Sequence, residues 1–118
     1  MLKVLVVEDE PYVRRGIVLS VDWTALDCFV VGEAANGEEG YDAALKFQPN
    51  IIITDIRMPK MDGIEMLKRL REAGCKSEVI ILTAYSEFEY AQNALHYGAA
   101  DYLLKPFHDG ELEIGRAS

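Results

Sequence analysis

Five short runs of apolar residues with no polar alternation inside them constrain this chain most: Leu2 to Val7, Phe29 to Val31, Ile51 to Ile53, Val79 to Leu82 and Tyr102 to Leu104. A strand with one face in water alternates apolar and polar residues, whereas an unbroken Val/Ile/Leu run suits a strand covered on both faces, as in a parallel sheet. The stretches between the runs have helical spacing. Val13, Ile17, Val18 and Val21 share one helix face, as do Tyr41, Ala44 and Leu45, then Ile64, Leu67 and Leu70, and less strictly Phe88, Ala91, Leu95 and Tyr97. Pro11 suits a first helical turn. Asn36 with Glu39, Asp62 with Glu65 and Ser86 with Glu89 each place a capping residue three positions before a glutamate. Gly74 and Gly98 suit helix ends that need a left-handed residue. The expected order is β-α-β-α-β-α-β-α-β with a further fragment from His108. This alternation builds a parallel sheet with helices on both faces, an α/β domain of three layers.

At 118 residues the chain is expected to form a single domain, residues 1–118, with one real core. No apolar run reaches the roughly 20 residues a membrane helix needs, and the N-terminus lacks the pattern of a signal peptide, so no membrane association and a cytoplasmic location are expected. The net charge of −8 argues against direct nucleic-acid binding by this domain. Cys28 and Cys75 stand far apart without metal spacing, so both read as reduced, partly buried thiols and not as zinc ligands.

Ligands of doubly wound sheets bind beyond the carboxyl ends of the strands. Glu8 and Asp9 follow the first run, Asp55 the third after Thr54, Thr83 the fourth, and Lys105 with Pro106 the fifth. Taken singly, each has an ordinary explanation: a solvated acidic pair, a turn-forming aspartate, a strand-end threonine, a surface lysine. Together they bring three carboxylates, a hydroxyl and an ammonium to one sheet edge. Clustered carboxylates repel unless a proton or a cation neutralises them. Oxygen ligands without His or Cys suit magnesium, with manganese as a substitute. A carboxylate can also act as a nucleophile toward phosphorus, and phosphoryl transfer asks mainly for positioning and charge neutralisation. Asp55 as acceptor, an ion on Glu8 and Asp9, and Lys105 on a phosphate oxygen would supply both.

VLVVEDEP (Val4 to Pro11), IIITDIRMPKMDGIEML (Ile51 to Leu67), VIILTAY (Val79 to Tyr85) and GAADYLLKPF (Gly98 to Phe107) follow in that order. The chain, from Lys3 to about Leu112, resembles the receiver domain of two-component response regulators. The resemblance implies a flavodoxin-like fold with strand order 2-1-3-4-5. It implies Asp55 as the site of phosphorylation, and Glu8, Asp9, Asp55 and the backbone carbonyl of Arg57 around the metal. It makes Thr83 the switch hydroxyl, Tyr102 the switch aromatic and Lys105 the phosphate-binding lysine, with a cis bond before Pro106 and the small Ala84 leaving room for the phosphoryl group. Arg57 and Tyr85 stand where the family varies, which leaves the lifetime of the phosphoryl group open.

The implied partners are a sensor histidine kinase and the protein's own C-terminal DNA-binding output domain, with a homodimer also open. VDWTAL (Val21 to Leu26), GEAANGEEG (Gly32 to Gly40) and TAYSEFEYAQNALHYGAADYLLKP (Thr83 to Pro106) are similar to receivers joined to AraC-type helix-turn-helix output domains. Trp23 taken alone is more often a packing residue that covers the end of the first helix. Residues 1–118 are expected to hold no output domain, and Gly115 comes early for a final helix, so that helix is expected to be truncated and residues 114–118 to form a tail. Two other readings lack their motifs. A phosphate-binding enzyme would need G-x-x-x-x-G-K-[ST] or G-x-G-x-x-G after the first strand, where Glu8-Asp9-Glu10 stands instead. A two-aspartate phosphotransferase would place an acid two residues after Asp55, where Arg57 stands. An interaction module that no longer uses phosphate would have lost the acidic pair or Lys105, and both are present.

Overall fold

The computed structural model describes residues 1–83, 92, 95, 96 and 98–104, with the main chain alone at 83 and 101–104. Its five strands are β1 (Leu2–Val7), β2 (Cys28–Ala34), β3 (Ile51–Asp55), β4 (Glu78–Thr83) and β5 (Asp101–Leu104). They form one sheet in the order β2-β1-β3-β4-β5, and all four pairings are parallel. The expected strand order is the one observed. The helices described are α1 (Pro11–Ser20), α2 (Gly37–Phe47) and α3 (Gly63–Glu72), with a short 3-10 turn at Thr24–Leu26.

Because consecutive side chains on a strand point to opposite faces, each central run feeds two cores. Leu5, Val7, Ile52, Val79 and Ile81 pack with Ala44, Met66, Leu67 and Leu70, on the α2 and α3 side. Val4, Val6, Ile51, Ile53, Ile80 and Leu82 pack with Ile17 and Val21, on the α1 side. This is why the runs show no polar alternation: β1, β3 and β4 have helices or loops over both faces. The edge strand β2 departs from the pattern, and its Phe29 is exposed.

Two expected helix faces are corrected by the packing. Val21 lies beyond α1 in extended backbone but stays in the same core. Leu45 is 44% exposed, and α2 instead faces the sheet with Gly37, Gly40 and Ala44. A Cβ at Gly40 would come within 2.7 Å of the Met66 sulfur and 3.0 Å of Val7. The helix thus lies close on the strands through its small residues, and its larger apolar residue is left outside.

The expected caps at Asn36 and Asp62 are formed. Asn36 Oδ1 accepts from the Glu39 amide at 2.9 Å, and Asp62 Oδ1 from the Glu65 amide at 2.8 Å. Only part of each reciprocal box is made. The Glu39 carboxylate accepts from the amide of Ala35 and the side chain of Asn36, while Glu65 pairs with Arg69. Pro11 opens α1, and Gly74 and Gly98 have φ of 85° and 98°. Trp23 packs at the end of α1 and donates its indole N–H to the Val18 carbonyl at 3.0 Å. Cys28 is a buried thiol and Cys75 a partly buried one. The expected Ser86 cap and the last helix lie outside the described residues.

Leu67 is completely buried on the α3 side of the sheet. Leu67→Ala is expected to lower unfolding free energy by about 2–5 kcal/mol, read from the denaturant midpoint at unchanged slope.

Candidate phosphoacceptor and cation site

β1 and β3 are adjacent, and their carboxyl ends carry the acidic residues. Glu8 directly follows β1, and its amide continues the β1–β2 ladder by donating to the Ala34 carbonyl at 2.9 Å. Its side chain turns inward and is 1% exposed. Asp9 is half-buried and Glu10 exposed. Asp55 does not follow β3, as the apolar run implied, but is its last residue, paired in register with Leu82 and 8% exposed. One carboxylate oxygen from each of Glu8, Asp9 and Asp55 lies within 4.8 Å of the others. The three acids singled out in the sequence are therefore brought together.

Two buried carboxylates and a half-buried one at this spacing repel strongly in a low-dielectric setting. The donor set is all oxygen, with no His or Cys, which selects hard cations. A magnesium shell places opposite oxygens about 4 Å apart. The three carboxylate oxygens, all within 4.8 Å of one another, lie near that range. The residues present fit a divalent cation of this type.

The backbone fixes the carboxylates. Asp55 Oδ1 accepts from the Ile56 amide at 2.8 Å, and the Thr54 hydroxyl donates to the Asp55 carbonyl at 2.9 Å. The loop between β3 and α3 contains the exposed Arg57 and is closed on itself: the Gly63 amide donates to the Ile56 carbonyl at 2.7 Å. Within it the Met61 amide donates to the Pro59 carbonyl at 2.8 Å, a tight turn through Lys60 at φ 69°. The Met61 carbonyl in turn accepts from the Gly37 amide at 2.9 Å, which ties the loop to the start of α2. Both glycines are required by space. A Cβ at Gly63 would lie 2.1 Å from the Asp55 carbonyl oxygen, and one at Gly37 would lie 2.1 Å from the Met61 carbonyl oxygen.

Sequence reasoning missed Gly37, Gly63 and Arg14. The Arg14 guanidinium donates to the Glu8 carbonyl at 2.7 Å. A bare glycine at a helix start carries a signal for close approach, but nothing in the sequence names its neighbour. Thr83 does not follow β4, as the apolar run implied, but is its last residue, while Tyr102 sits on the expected strand, β5, where Ile81 is its partner in register; the side chains of both lie outside the described residues. Ala84, Tyr85, Lys105 and Pro106, with the expected cis bond, also lie outside them.

A doubly wound parallel sheet of order 2-1-3-4-5, with an acidic cluster that could hold a cation where β1 and β3 end, defines an α/β domain of the class that binds its ligand at the carboxyl edge of the sheet. The chain belongs to the response regulator receiver domain family, whose profile matches residues 4–114. It is 38% identical over 112 residues to YesN, described as an uncharacterized transcriptional regulatory protein of Bacillus subtilis, with 95% of this chain and 30% of YesN covered. It is 42% identical over 112 residues to the regulatory protein AtoC of Escherichia coli, with 95% of this chain and 24% of AtoC covered. The chain thus spans less than a third of either relative. The solved REC domain of AraT, a response regulator from Geobacillus stearothermophilus, superposes with a TM-score of 0.84 at 40% identity, covering 93% of this chain and 85% of that one. Family membership makes this a receiver domain of two-component signalling and not a metabolic enzyme, with transcriptional regulators among its homologues. Among the described residues no helix is long and apolar enough to cross a membrane.

The steric reading of Gly63 separates it from an ordinary helical glycine. Gly63→Ala is expected to cost about 1–3 kcal/mol, because the helix must back away from a carbonyl that cannot yield. Gly16→Ala, in α1 with nothing within 4 Å of the added Cβ, is expected to gain about 0.5–1 kcal/mol. Urea unfolding of the two variants checks both signs.

Proposed function

We propose that this chain takes a phosphoryl group from a sensor histidine kinase onto Asp55. Glu8, Asp9, Asp55 and the Arg57 main-chain carbonyl hold magnesium, or manganese in its place. The observation that carries the reading is the convergence of the three carboxylate groups within 4.8 Å where β1 and β3 end. In the transfer, a carboxylate oxygen of Asp55 attacks phosphorus. The new O–P bond forms as the P–N bond to the kinase histidine breaks, and the imidazole leaves with the electron pair and is then protonated. A cation held by Glu8, Asp9 and Asp55 would neutralise charge on the phosphoryl oxygens. The Ile56 amide, bonded to Asp55 Oδ1, holds the carboxylate in orientation. Lys105 neutralises a further phosphoryl oxygen, aimed by a cis bond to Pro106. The only chemistry catalysed is the domain's own phosphorylation and dephosphorylation.

The phosphorylated state alters the surface around the fourth helix and β5 and so controls a C-terminal output domain. Transcriptional regulators among the relatives support a DNA-binding output. The likeness of Val21 to Leu26, Gly32 to Gly40 and Thr83 to Pro106 to AraC-linked receivers favours that output type. A phosphoryl group adds about −1.5 to −2 charge. One hydrogen bond to it is worth roughly 1.5–3 kcal/mol, short of the about 5.5 kcal/mol that drives a switch from 1:99 to 99:1. Thr83 and Lys105 therefore act together, and Tyr102 turns into the space that Thr83 vacates.

Intact mass after incubation with acetyl phosphate is expected to show one added phosphoryl group with magnesium, none with chelator and none in Asp55→Ala. Equal labelling in all three would remove Asp55 and the cation from the reaction. Thr83→Ala is expected to accept phosphate yet lose the amide shift changes between Ser86 and Leu104. A full wild-type pattern in that variant would rule out the coupling.

A further inference from the structure

The acidic loop has a fastening that the phosphoryl reaction does not itself use. Arg14 sits in the first turn of α1 with its side chain 18% exposed. Its Nη1 donates to the Glu8 carbonyl at 2.7 Å, and its Nε donates to Glu33 Oε1, on β2, at 3.3 Å. Arg15 donates to the other oxygen of the same carboxylate, Glu33 Oε2. The Glu33 carboxylate is thus held by two guanidinium groups, and one of them reaches on to the acidic loop.

We propose that Arg14 is a positioning residue for the cation site: by holding the Glu8 carbonyl, and itself held by Glu33, it sets the Glu8–Asp9 peptide so that both carboxylates converge on Asp55 before the cation arrives. The proposal rests on the reading of Glu8, Asp9 and Asp55 as that site.

Like charges within 4.8 Å favour any motion that parts them. Glu8 is locked into the ladder by its amide, but Asp9 is half-buried and lies beyond the last ladder bond. What aims Asp9 is the plane of the peptide that precedes it. That plane carries the carbonyl to which Arg14 donates. A second bond, from the Arg14 amide to the Glu10 carbonyl at 2.9 Å, pins the far side of the loop. A charged donor to a main-chain oxygen makes a stronger bond than a neutral one. The planar guanidinium serves two acceptors from different edges, whereas a lysine ammonium is a point charge on a flexible stem. As a partly exposed ion pair, Arg14–Glu33 adds little to stability. Its contribution is to the direction of the loop, as partners outside a metal's own ligands commonly set ligand orientation.

The test is a magnesium titration of the full chain, followed by the backbone amide shifts of Asp9 and Glu10, with Tm recorded alongside. The wild type is expected to saturate. Arg14→Ala is expected to need about tenfold more magnesium, the low end of the loss seen when outer partners of ligands are removed. Arg14→Lys is expected to fall between the two. Glu33→Ala is expected to shift in the same direction, and the double variant to be no weaker than Arg14→Ala, since the two residues act as one chain of contacts. Lys46→Ala removes the same charge at the far end of α2 and is expected to titrate as wild type. Unchanged or tighter magnesium binding in Arg14→Ala, with or without a lower Tm, would overturn the proposal, as would additive losses in the double variant. Should Arg14→Ala not fold, Arg14→Lys and Glu33→Ala carry the same test. A wild type without a saturable shift at Asp9 would remove the cation reading itself, which separates that failure from a failure of Arg14.

Discussion

Burial of β1 and β3 on both faces governs the rest of this structure. Val4 to Val7 and Ile52, Ile53 and Thr54 are completely buried, and their amides and carbonyls are committed to the ladders of a parallel sheet. Nothing polar can act from within such a layer without losing partners it needs. Chemistry is pushed to where the ladder stops. It stops at nearly the same level on the two neighbouring strands, since Val7 pairs with Thr54 and the next residues are Glu8 and Asp55. The register that satisfies the backbone therefore also sets two carboxylates side by side.

Such an arrangement opposes itself electrostatically, and several contacts around it resist dispersal. Asp55 is fixed from below by its own strand and by the Ile56 amide. Glu8 is fixed by the last bond of the β1–β2 ladder. The β3–α3 loop is closed by Gly63 and latched to α2 by Gly37. These are short, directional bonds with main-chain amides as donors, and they hold positions better than long flexible ion pairs do. The ion pair on α3, Arg69 with Glu65, lies on the exposed face of the helix and carries none of this.

The sheet was legible in the sequence because full burial erases polar alternation, and Leu2 to Val7 was bounded to the residue. Ile51 to Ile53 was read short because Thr54 and Asp55 look like loop residues, though the ladder runs through them. The acids of the site were legible because they stand just past the apolar runs, Glu8 beyond the end of β1 and Asp55 at the last residue of β3. The face of α2 was not, since hydrophobic spacing weights Leu45 above Gly40, while the close approach of helix and strand rewards the smaller side chain. The partners of Gly37, Gly63 and Arg14 could not be read. Their roles are contacts with Met61, Asp55 and Glu8, set by the crossing of elements and not by any local pattern.

The meeting of Gly37 with Met61 bears on how far the parts of this domain can be exchanged. The loop from Arg57 to Asp62 looks like a self-contained cassette between a strand and a helix. Its outer rim, however, rests on bare backbone some twenty residues earlier in the chain, where a single methyl group would collide with the Met61 carbonyl. A chimera that borrows this loop from another protein inherits a demand for glycine at position 37, and one that borrows the α2 start must bring a loop of matching shape. The two segments are one mechanical part written in two places.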